Sequence, residues 1–224
     1  MPEENARTKK LSITLQLTVL GIDSNEEPVA LAGFQYREKY VYPYLQAQGF
    51  AVKKFQCPLA RRFYLAPEAR KPEVEYLTGV GHGSYNLYTG DHGDVIWQVG
   101  NYHPDEVKGK IVHLLSCQTA RELGPDFVRN GCRAYFGYDE NFTFYMADKD
   151  TFFECDSEIG KAFGDGVSTA QVYDRVKKLY DQRIADLRAA GKLYVAATLE
   201  FDRDHLRCPS SGGANWGDPK AKLS

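Results

Sequence analysis

Strand-length runs cut off by small or polar residues constrain this chain more than any other feature. "FAVKKFQC" (50–57), "VEYLTGV" (74–80), "KIVHLLS" (110–116) and "CRAYFGY" (132–138) are each too short for an ordinary helix, and the last three are apolar almost throughout. Uninterrupted apolar strands are those buried on both faces, the pattern of a parallel sheet covered by helices. An earlier run at 11–20 alternates instead: Leu11, Ile13, Leu15, Leu17 and Val19 are apolar, with Ser12, Thr14, Gln16 and Thr18 between them. It reads as a half-buried strand.

Helical segments separate and follow these runs. The spacing predicts helices over 33–48, with a kink or break at Pro43, and over about 120–130, stopping at Gly131. Three more are expected over 150–163, 167–190 and 193–206. In the second of these, Val172, Val176, Leu179, Tyr180, Ile184 and Leu187 form one apolar face. Residues 58–73 read as an exposed connection. Residues 84–109 read as a long loop with one short element near Val95–Val99, and 209–224 as a loosely ordered tail. The expected fold is α/β: a three-layer αβα sandwich with a mostly parallel central sheet of about six strands, in one domain spanning 1–224.

Composition excludes several partners. The 224 residues carry 28 Lys and Arg against 30 Asp and Glu, for a formal charge of −2 with no basic track. Nothing here draws the chain to nucleic acid or to an anionic membrane. No run reaches the roughly 18 apolar residues that a membrane span needs. The alternation at 11–20 is unlike a signal h-region, so a cytoplasmic location is expected. Five widely spaced cysteines without a C-x-x-C pair form neither a disulfide framework nor a zinc ribbon. No pattern sets an oligomeric state.

Chemistry concentrates where two of the apolar runs stop. "GVGHGS" ends the run at 74–80 on His82, and "VHLLSCQTA" ends the next on Cys117. In an open α/β sheet, functional groups gather at the carboxyl ends of strands, and consecutive strands are usually neighbours. A thiol beside an imidazole is a nucleophile with its base. The helix expected from Ala120 would add a favourable dipole. Glycines flank His82, and the backbone amides of Gly83 and Cys117 are the expected oxyanion donors.

These pieces resemble the caspase-like cysteine peptidases, a group of caspases, metacaspases, separases and gingipain- and clostripain-type enzymes. "LLSCQTA" is most similar to the gingipain- and separase-type members. The resemblance implies a caspase-haemoglobinase fold, a dyad of His82 and Cys117, and hydrolysis of peptide or protein substrates after one preferred side chain. Leu115 and Ser116 stand before the cysteine, where the caspase pattern has Gln-Ala, and Thr119 replaces its glycine. Caspase or metacaspase specificity therefore does not carry over. Asp23, Asp139 and Glu140 follow strands at the same sheet edge and are candidate walls, with Leu115 and Ser116, of a pocket for a basic residue; the alternative is that these acids cap helices or sit in turns.

Two readings compete: a caspase-like binding or scaffold module that does not cleave, and a redox-sensing thiol protein using Cys117 with a resolving cysteine. His113, inside an apolar run, is expected to be a core histidine, and His205 to lie at the surface. The run "GDHGD" around His92 lacks zinc or EF-hand spacing and reads as a solvated loop, as does the region of His103. No metal site and no cofactor are expected, and calcium has no motif behind it. The segment "ARRFYLAPEARK" is the expected place for any self-cleavage.

Overall fold

The computed structural model describes residues 16–211 and 213–223. A six-stranded sheet runs through the centre. Its strands are β1 (Thr18–Ile22), β2 (Ala51–Phe55), β3 (Val74–Val80), and, after a small separate sheet of β4 (Gly83–Ser84), β5 (Leu87–Thr89) and β6 (Val95–Gln98), β7 (Ile111–Leu115), β8 (Ala134–Tyr138) and β9 (Leu206–Arg207). The order is β2-β1-β3-β7-β8-β9, all parallel except β9, which runs antiparallel to β8. Residues 11–15 of the first expected strand lie outside the described residues.

Each central strand sends alternate side chains into two cores. Val19, Tyr76, Ile111 and Phe136 point one way, into a core shared with α1 (Pro28–Tyr40), α2 (Tyr42–Ala47), α5 (Lys149–Gly164), α6 (Thr169–Ala189) and α7 (Leu193–His205). Leu20, Leu77, Val112 and Tyr135 point the other way, toward α3 (Arg62–Ala69), α4 (Leu123–Arg129) and the small antiparallel sheet. Burial on both faces explains why these strands are apolar almost throughout. Among the described residues, no helix is long and apolar enough to cross a membrane.

Several elements differ from expectation. The helix at 33–48 starts earlier and divides at Val41, and Pro43 sits in the first turn of α2, where its missing N–H costs no hydrogen bond. The expected connection at 58–73 contains α3, tethered by the Arg62 guanidinium to the buried Glu106 carboxylate at 2.8 and 3.0 Å. The expected loop at 84–109 folds back as β5 and β6, with Tyr88 and Trp97 paired across them and buried. The tail is docked: Ala221 and Leu223 are buried, Trp216 Nε1 donates to the Ala120 carbonyl at 3.0 Å, and Thr169 Oγ1 donates to the Ala221 carbonyl at 2.8 Å.

A buried polar cluster ties the carboxyl ends of β1 and β3 together. The Asp23 carboxylate accepts from Arg37 Nε at 3.0 Å, from the Val80 amide at 3.0 Å and from the Tyr42 hydroxyl. Arg37 also donates to Thr78 Oγ1 at 3.0 Å. Burial lifts the Asp23 carboxyl above its usual range, against the pull of Arg37. His113 is a core histidine, its Nε2 3.0 Å from Asp156, whose Oδ1 also accepts from Tyr138.

Candidate active site

Strand pairing brings together the chain segments that carry His82 and Cys117. Val80 and Leu115 are register partners at the ends of β3 and β7, and the Gly81 amide donates to the Leu115 carbonyl at 3.2 Å. His82 follows β3 by two residues. Its carbonyl accepts from the Thr89 amide at 2.9 Å, so the start of the small sheet fixes its backbone. Cys117 follows β7 by two residues and enters a tight turn in which Gln118 has φ 61°.

That turn is tied down from below. Ser116 Oγ lies 2.9 Å from Thr119 Oγ1, and the Tyr135 hydroxyl donates to Thr119 Oγ1 at 2.7 Å. The Gln118 and Ala120 amides donate to the carbonyls of Glu140 and Tyr138 at 3.1 and 3.0 Å. Gly83 lies directly on the turn: a Cβ there would stand 2.6 Å from Thr119 Cγ2 and 2.7 Å from the Cys117 carbonyl oxygen. Only glycine allows this approach.

His82 and Cys117 line one cleft, together with Gly81, Val29, Ala30, Val80, Leu115, Ser116, Phe142, Phe144 and Phe153, enclosing about 390 Å³ out to its open mouth. The wall is predominantly apolar, and its aromatic side comes from the segment after β8 and from α5. Gly81 lines the cleft, whereas Gly83 sits behind it against the Cys117 carbonyl. Of the two expected oxyanion donors, Cys117 is therefore on the wall and Gly83 is not.

Glu27 is the residue that sequence reasoning missed. Its carboxylate caps α1, accepting from the Ala30 amide at 2.9 Å and the Val29 amide at 3.3 Å, and its Oε1 lies 3.1 Å from His82 Nε2. Burial works against its charge, but the two amides and the imidazole together hold the carboxyl below the usual range. An acid directly before Pro28 is a helix-start signal that the sequence does carry.

Burial disfavours ionisation of the thiol. It pushes Cys117 up from the ordinary thiol value, a bond with the Phe142 backbone only partly offsetting it. Among the described residues, no hydrogen bond joins Cys117 to the imidazole. The expected dipole is also missing, because α4 begins at Leu123 rather than Ala120, after the turn at Gln118, and is seven residues long.

The acids expected to receive a basic side chain are otherwise engaged. Asp23 is fully buried against Arg37. Asp139 pairs with Arg207 at 2.6 Å and with His205, which is half-buried, at 2.8 Å; Glu140 pairs with Arg121. None of the three lines the cleft, while Leu115 and Ser116 do. No protein-family model and no curated protein sequence matches the chain.

Proposed function

We propose that the chain is a cysteine endopeptidase of caspase-like type, in which Cys117 is the nucleophile and His82 its acid and base. The observation that carries this reading is the shared cleft: a thiol and an imidazole from adjacent strand ends open onto one concave, largely apolar wall. Glu27 occupies Nε2 of the imidazole, which leaves Nδ1 to exchange protons with the thiol. Cys117 Sγ attacks the peptide carbonyl carbon as its proton passes to His82. His82 then protonates the departing amine, and water, giving a proton back to His82, releases the acyl group. The Glu27 carboxylate stabilises the imidazolium formed in between and holds its plane.

The cleft wall argues against a basic preference. Val80, Leu115, Phe142, Phe144 and Phe153 would stabilise an apolar side chain, and no Asp or Glu is among the lining residues. In such a pocket a well-placed apolar group is worth about 1–3 kcal/mol per methylene gained or lost. A peptide library varying the residue before the scissile bond tests both points. Leu or Phe should be cut at least about tenfold faster than Arg or Lys, and turnover should vanish in Cys117→Ala and His82→Ala. Turnover that survives Cys117→Ala would remove the proposal.

A further inference from the structure

A second constellation of reactive side chains lies beside the cleft, and we propose that it is a binding site for a divalent transition metal of the zinc type. Glu26, from the loop between β1 and α1, meets Cys57, from the segment after β2, and Asp91 with His92, from the segment after β5. One ligand atom from each lies within 4.8 Å of all the others. Tetrahedral coordination with bonds of 2.0–2.3 Å spaces its ligands roughly 3.3–3.8 Å apart, so modest side-chain movement closes the set.

The second observation is an orphaned oxygen. Asp91 is fully buried: Oδ2 accepts from Arg61 Nε at 3.2 Å, the Glu26 and Cys57 side chains also act on the carboxyl group, and Oδ1 has no hydrogen-bond partner of good geometry. An unpartnered buried carboxylate oxygen is costly, and a cation removes that cost. His92 Nδ1 and the His92 backbone amide both meet the Glu26 carboxylate, which holds ring and acid together. His92 is exposed, so an ion can enter from solvent.

The donor set selects the ion. One thiolate, one imidazole and two carboxylates suit zinc or cobalt(II), whereas calcium and magnesium take oxygen ligands alone. Charge balances: three negative ligands meet two positive charges on the ion and one on Arg61. Binding ionises Cys57, whose proton leaves to solvent. Sequence spacing hid the site because its ligands come from three separate loops, with only "DH" contiguous. Glu26 adjoins Glu27, so a bound ion would also fix the loop that reaches His82.

Cobalt(II) titration of the Cys117→Ala protein tests the site with the cleft thiol removed. The expected result is saturation at one ion per chain, with a thiolate-to-cobalt charge-transfer band that is abolished in Cys57→Ser and weakened at least tenfold in affinity in His92→Ala. His92 is exposed, so His92→Ala is expected to keep the fold, and circular dichroism of the metal-free protein checks this. No saturable binding, or a band undiminished by Cys57→Ser, overturns the proposal.

Discussion

At Cys117, burial raises the thiol above its ordinary range. Its alkylation by iodoacetamide should therefore rise steadily with pH, with a midpoint above the 9.0 of an unperturbed thiol. A plateau of fast alkylation near pH 6 would show a preformed ion pair instead. Glu27 separates two roles in one side chain. Glu27→Gln keeps an acceptor for the Ala30 amide but loses the charge beside the imidazole. Its kcat/KM should fall about tenfold, the effect of roughly one pKa unit of lost stabilisation, with little change in Tm. Glu27→Ala should also cost about 1 kcal/mol of stability through the lost cap. The placement of His82 and Cys117 after neighbouring strand ends was legible because each follows an apolar run that stops abruptly. Asp23 was misread because its burial against Arg37 depends on a helix-borne guanidinium 14 residues away that no local pattern announces.

Among elements, the contact between the two strand ends leaves no room for a larger residue at Gly83. Gly83→Ala would drive a methyl group into the Cys117 carbonyl and Thr119, and either neighbour must move. The expected cost is about 1–3 kcal/mol in urea denaturation, with a displaced Cys117 and a larger loss in kcat/KM than in stability. A substitution tolerated without loss of either would mean that the strand ends are not held together there. The central strands and long helices were readable because burial on two faces and on one stripe leaves different periods in sequence. Of the small sheet, β6 matches the short element expected near Val95–Val99, whereas β4 and β5 were not readable. The sheet's strands are two to four residues long, and its stability comes from Tyr88 and Trp97 packing under the main sheet rather than from alternation. The late start of α4 was equally hidden, because the turn at Gln118 is imposed by hydrogen bonds from the end of β8.

Across the whole molecule, one sheet separates two cores, and the open edge formed by the carboxyl ends of β3 and β7 carries the cleft. The tail closes the structure by packing Leu223 into one core and Trp216 beside the other, although its Gly, Ser and Pro content reads as loose chain. Such docking is a long-range event that composition does not record. The same holds for the cleft wall, where Phe142, Phe144 and Phe153 join Val80 and Leu115 from distant parts of the chain. The most direct test of the central claim compares kcat/KM on the best library peptide for wild type, Cys117→Ala, His82→Ala and the double variant. Two residues acting as one unit should each cost, singly, about as much as both together. Losses that instead add independently, or a Cys117→Ala protein that turns over like wild type, would contradict a Cys117–His82 dyad.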